Sequence, residues 1–95
     1  MAVLVISRIK VTDPEKYETY RPLAKAAIEK YGGRYLVRGA EALVLEGTLD
    51  AARHVVVEFD SVETVREFYD SPEYRLAREA RAGVAEAVIT AVQGI

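Results

Sequence analysis

Arg53-His54-Val55-Val56-Val57-Glu58-Phe59-Asp60 is the stretch whose reading decides the fold. Val55, Val57 and Phe59 fall on one face of a strand, and His54, Val56 and Glu58 on the other. Both faces carry valine, so the strand reads as the most buried in the chain. It empties directly into a capped helix, Ser61-Val62-Glu63-Thr64-Val65-Arg66-Glu67-Phe68-Tyr69. A second start follows at Ser71-Pro72-Glu73-Tyr74, where serine caps and proline takes the first helical position.

Upstream, Val3 to Val11 alternates imperfectly, with Leu4 and Ile6 on the face opposite Val3 and Val5. Asp13-Pro14-Glu15 is a strong helix start. Tyr17, Tyr20, Ala24, Ala27, Ile28 and Tyr31 then share one helical face. Pro22 interrupts, because its ring clashes with the carbonyl four residues back, and predicts a kink or break near Tyr20. Gly32-Gly33 ends the helix. Arg34 to Arg38 reads as a strand, Gly39 as a bulge or corner, and Glu41 to Glu46 as the strand resumed. Gly47 to Arg53 is a loop.

Downstream, the helix that starts at Ser71 carries a thin apolar stripe and ends near Gly83, and Ala85 to Ile95 reads as a last strand. The order is βαββαβ, an α+β class with a ferredoxin-like antiparallel sheet. Helices can cover one sheet face. The other, with Leu4, Ile6, Val44 and Val56, has nothing left in the chain to cover it. A partner sheet, hence a homodimer through the sheet face, is the natural answer.

Composition bounds the rest. Ninety-five residues make one domain, 1–95, with a modest core. A net charge of −2 argues against a sequence-independent grip on nucleic acid. There is no cysteine, which removes thiolate chemistry and cysteine-ligated metals and fits a cytoplasmic setting. The apolar start Met1 to Ile6 is far shorter than the ~20 residues of a membrane span. It reads as a strand, with no membrane partner expected.

Several motifs together resemble a known family. They are Tyr17 with Tyr20, Gly32-Gly33-Arg34, Arg38-Gly39, Leu45-Glu46-Gly47, Glu58-Phe59 and Tyr69-Asp70-Ser71-Pro72-Glu73-Tyr74. In order and spacing they are similar to the domain-of-unknown-function family 1330, across nearly the whole chain. The chain departs from the family at Ala40, where a second glycine is common. The resemblance implies a dimeric α/β barrel, in which two ferredoxin-like sheets pack face to face, and it implies no reaction. At fold level the wider superfamily includes cofactor-independent monooxygenases, haem-handling proteins and muconolactone isomerases; a shared fold does not carry their activities.

The candidate chemistry is sparse. His54 is the single histidine, so one imidazole is available as base or ligand, and it reads more simply as polar surface. No metal and no haem cofactor is expected. Arg38 and Glu58 lie on strands, and both are expected to reach the uncovered face, together with some of Arg8 and Glu46. There they form either a structural ion pair or a pocket in which Arg38 holds an anion and Glu58 acts as a base. Tyr74, Arg78 and Arg81 share one helix stripe, preceded by Tyr69, and the two tyrosines could close over a cleft between sheet and helices. Tyr20, beside the proline, is the best ligand contact of its helix; the alternative is core with hydroxyls at the rim. The expected site is therefore Tyr20, Arg38, Glu58, Tyr69, Tyr74 and Arg81. Its expected ligand is a small anionic metabolite, bound or transformed. The alternative is a non-catalytic assembly module whose charges are structural.

Overall fold

The computed structural model describes residues 2–50 and 53–95. Strand β1 (Val3–Val11) leads into α1 (Pro14–Tyr17) and α2 (Tyr20–Lys30), then β2 (Arg34–Ala40) and β3 (Arg53–Phe59). Helices α3 (Val62–Tyr69) and α4 (Pro72–Arg81) follow, and β4 (Ala85–Gln93) closes the order. The four strands lie in the order β2-β3-β1-β4, and every neighbouring pair is antiparallel. This is the ferredoxin-like α+β arrangement that the element order implies.

The helix starts form where the residues dictate. Asp13, Ser61 and Ser71 each accept a hydrogen bond from the backbone N–H three residues on, at 3.2, 3.1 and 3.1 Å. Pro14 and Pro72 sit in the first turn, where a missing N–H removes no hydrogen bond. The first helical region breaks at Glu18 and Thr19, so Pro22 falls in the opening turn of α2. There the N–H it lacks has no intrahelical partner to lose.

Val5, Ile9, Val57 and Phe59 are buried against the helices, where they meet Tyr20, Ala24, Ala27, Phe68, Tyr74 and Ala77. Phe59 is 0 % exposed and its ring lies 5.0 Å from that of Phe68. Gly33 permits this packing: a Cβ there would stand 2.8 Å from the Phe59 ring. Lys30 of α2 reaches Glu73 of α4 at 2.5 Å and ties the two helices together at the surface.

The opposite face carries Leu4, Ile6, Val37, Val56, Val88 and Val92, by the strand registers. Among the described residues no element covers it, and Val88 is 61 % exposed.

Two expectations fail here. Residues 41–46 form no strand: β2 ends at Ala40, and Leu43 and Leu45 are exposed. Val44 therefore does not join the uncovered face, and Val37 stands there instead. The second failure lies inside β2. Pairing runs Arg34 with Glu58 and Tyr35 with Val57, but then Val37 with Val56 and Arg38 with Val55. One extra residue, Leu36, is inserted on the β2 side. Every side chain beyond such an insertion changes face.

Candidate functional site

The bulge at Leu36 sets the site. Unbroken alternation would hold Arg34 and Arg38 on one face. With one residue inserted, Arg34 stays on the uncovered face beside Glu58, and Arg38 turns to the helix side beside Val55. Arg38 and Glu58 therefore stand on opposite faces of the sheet and do not pair, which corrects the expectation that both reach the uncovered one. Glu58 instead accepts from Arg34, at 3.0 Å from Nε and 2.7 Å from Nη2, and Arg34 also reaches Asp60 at 3.2 Å. The Arg34 side chain is 53 % exposed, so this is a surface ion pair of small worth.

On the helix side, Arg38 joins a cavity between sheet and helices. Its sheet wall is made by Ser7, Tyr35, Arg38, Arg53, Val55 and Val57. Its helix wall is made by Tyr17, Tyr20, Arg21, Ala24, Ile28 and Tyr74. Phe59, Phe68 and Ile89 are among its apolar lining. The void measures about 40 Å³, little more than the ~30 Å³ that one water occupies in the liquid.

Arg53 arrives through the parity of β3, since it shares a face with Val55, Val57 and Phe59 and pairs with buried Ile9. A second insertion in β2, at Gly39, makes space for it. Gly39 has φ +81°, and a Cβ there would stand 2.5 Å from the Arg53 guanidinium. Arg53 lies 5.8 Å from the Tyr17 ring centre, and Arg38 lies 4.8 Å from that of Tyr35. Among the described residues the Nε of Arg53 is buried with no hydrogen-bond partner. Among the described residues, neither Arg38 nor Arg53 has a carboxylate partner, whereas Arg21 is paired with Glu18 at 3.2 Å.

The phenols complete the lining. The Tyr20 and Tyr74 hydroxyls are 2.8 Å apart and buried. Burial holds the Tyr20 hydroxyl far above the ordinary phenol range, with the neighbouring Tyr74 adding to the rise. Burial also raises Tyr17 and Tyr35, while Arg53 and Arg38 respectively pull them back. The phenols of Tyr17, Tyr20 and Tyr35 therefore stay protonated near neutral pH, so they can donate hydrogen bonds but do not serve as bases.

Of the six expected site residues, Tyr20, Arg38 and Tyr74 line the cavity together. Arg81 stacks 5.6 Å from the Tyr20 ring centre, adjoining the cavity rather than lining it. Tyr69 touches the Tyr74 ring at 5.4 Å but lines an adjoining groove of about 430 Å³ between α3 and β4, which shares Val5, Phe68 and Ile89 with the cavity. Glu58 is remote from both. His54 lies on the uncovered face opposite Arg8, and Glu46 lies in the loop after β2. Among the described residues no three His, Asp or Glu side chains gather closely enough to hold a metal. Sequence reasoning passed over Arg53, Tyr35 and Ser7. The parity of β3 was the available signal for Arg53, and the glycine beside it in space was the second.

Comparison with known proteins follows the same outline. The family model described as Domain of unknown function (DUF1330) matches residues 2–95, and the chain belongs to that family. No curated protein matches the chain. Among solved structures it is similar to RPA0582, a protein of unknown function from Rhodopseudomonas palustris. That match has 18 % identity and a TM-score of 0.82, and covers 99 % of this chain and 82 % of that one. A dimeric ferredoxin-like protein of unknown function from Jannaschia sp. CCS1 matches with 5 % identity and a TM-score of 0.78, over 99 % and 100 % of the two chains. SnoaB, a cofactor-independent oxygenase from Streptomyces nogalater, matches with 14 % identity and a TM-score of 0.71, over 99 % and 93 %. At these identities the likeness speaks for the fold alone.

Proposed function

We propose that this member of the DUF1330 family binds a small organic anion in the cavity between its sheet and helices. One observation carries the reading: Arg38 and Arg53 both line that cavity, and among the described residues no carboxylate lines it with them. A guanidinium partly withdrawn from water without a counter-charge, as that of Arg53 is, is unfavourable, and a bound carboxylate or enolate relieves it. The rest of the lining is apolar and aromatic, which suits a ligand with a hydrocarbon body. The void of about 40 Å³ is smaller than the ~300–1,000 Å³ of most ligand pockets, so binding requires side chains to give way. Arg38 is exposed and Arg21 half-buried, and long arginine side chains of that kind can move at modest cost.

Residues 1–95 act in this proposal as one domain, paired into a homodimer through the uncovered sheet face. Dimeric ferredoxin-like proteins among the structural neighbours support that arrangement. A cytoplasmic setting, with neither nucleic acid nor membrane as partner, completes it. It is supported by the acidic net charge, by the lack of cysteine and by the absence of a helix long and apolar enough to cross a membrane among the described residues. The competing reading, a charged set that only builds the dimer, fits the Arg34–Glu58–Asp60 group but not Arg38 or Arg53.

The test is calorimetric titration of benzoate into wild type, Arg38→Ala, Arg53→Met and Arg34→Ala. Loss of a charge-assisted contact of ~1.5–3 kcal/mol should weaken binding at least tenfold in the first two variants. Arg34→Ala, on the other face, should bind as wild type does. Absence of saturable binding by wild type, or equal loss in all three variants, would sink the proposal.

A further inference from the structure

Tyr20 of α2 and Tyr74 of α4 are 8 % and 3 % exposed, and their hydroxyls meet at 2.8 Å inside the cavity. Each phenol has one proton to give and lone pairs to accept with. Their mutual hydrogen bond uses one of the two protons. Neither hydroxyl has another hydrogen-bond partner among the described residues. One buried O–H is therefore left with the cavity alone to face, although buried hydroxyls in folded chains nearly always find an acceptor.

Neither ring is free to carry its hydroxyl elsewhere. Tyr20 is held between the Tyr17 ring at 5.2 Å and the Arg81 guanidinium at 5.6 Å. Tyr74 is held against Phe68 at 4.5 Å and Tyr69 at 5.4 Å. The spare proton is thus positioned on the helix wall, while Arg38 and Arg53 stand on the sheet wall. Apolar side chains, Val57, Ile28 and Phe59 among them, line the same space.

We infer that the ligand is a flat aromatic or conjugated carboxylate with a second oxygen, a hydroxyl or carbonyl, that bonds the Tyr20–Tyr74 pair. This rests on the anion-binding reading and narrows it. The carboxylate meets the guanidinium groups and the second oxygen meets the hydroxyl pair. A site with a buried polar group discriminates against an analogue that leaves that group unpaired more strongly than an apolar pocket rejects an extra methyl.

The experiment compares 4-hydroxybenzoate, 4-methylbenzoate and benzoate by calorimetry on the full chain. The methyl compound fills nearly the same volume as the hydroxyl compound without its oxygen. The hydroxyl compound should bind about tenfold more tightly than the methyl compound. In the double variant Tyr20→Phe/Tyr74→Phe, which leaves no hydroxyl at this position, that preference should fall to about twofold or less. If a variant does not fold, the wild-type comparison decides alone. Equal or tighter binding of 4-methylbenzoate by wild type overturns this inference and leaves anion binding standing. Failure of all three carboxylates to bind overturns both.

Discussion

Replacing Gly39 by alanine tests the construction of the cavity without touching a charged or phenolic group. Gly39 has φ +81°, a conformation that costs a residue with a Cβ about 1–2 kcal/mol. The new Cβ would also stand 2.5 Å from Nη1 of Arg53, so that side chain must move. Its long stem lets it swing away, so the clash adds little to the stability loss but displaces the guanidinium. Gly47 is the control: its φ is +87°, and nothing lies within 4 Å of its added Cβ. Both variants should melt lower by similar amounts, roughly 4–8 °C per kcal/mol for a domain of this size. Only Gly39→Ala should also lose benzoate affinity, by about tenfold if one charged contact of ~1.5 kcal/mol is lost. Thermal melting and calorimetry read the two effects separately. Equal benzoate binding by Gly39→Ala, Gly47→Ala and wild type would refute the placement of Arg53 in the site.

Burial raises the phenols of Tyr17, Tyr20 and Tyr35 above 10.0, so above that pH the folded chain holds more protons than the unfolded one. The share of stability that these phenols carry should be level below about pH 10 and fall as pH rises through the raised values; denaturant melts above pH 10 that stay level would contradict the burial. In the monomeric Val56→Lys background, Glu58→Ala should cost no more than about 1 kcal/mol, because its pair with Arg34 is partly solvated there, and a loss above about 3 kcal/mol would instead mark a desolvated pair. Sedimentation at micromolar concentration should give twice the 10.5 kDa chain mass, and Val56→Lys, on the uncovered face, should shift it to the monomer; a well-folded wild-type monomer rules that interface out. Phe59→Ala should cost about 3–5 kcal/mol in denaturant melting, since the ring is 0 % exposed; a loss below about 1 kcal/mol would place it outside the core.

The fold was legible because its signals are local. Asp13-Pro14, Ser61 and Ser71-Pro72 state where helices start, and each serine or aspartate caps as its chemistry requires. The alternation of β3 was also legible and placed Val55, Val57 and Phe59 correctly on one face. The site was half legible. Tyr20 and Tyr74 were found from helical periodicity, but their hydroxyl contact joins residues 54 positions apart and has no local trace. Arg38 was named as an anion contact but assigned to the wrong face. The error came from carrying a two-residue period through β2, where Leu36 and Gly39 each add a residue. Gly39 announced its irregularity as glycine; Leu36 is an ordinary strand residue and announced nothing. The strand expected over residues 41–46 failed for a related reason. Alternating leucines satisfy the strand pattern, but among the described residues β3 pairs with nothing beyond Ala40 on that side.

The most direct measurement of the central claim is a crystal structure of the protein soaked with 4-bromobenzoate, read from the anomalous signal of bromine. The account predicts one peak per chain within the cavity, with the carboxylate in hydrogen-bond reach of Arg38 or Arg53 and the ring among Tyr17, Tyr20 and Tyr35. Bromine found only on the uncovered sheet face or in the groove between α3 and β4, with the cavity unchanged, would contradict it.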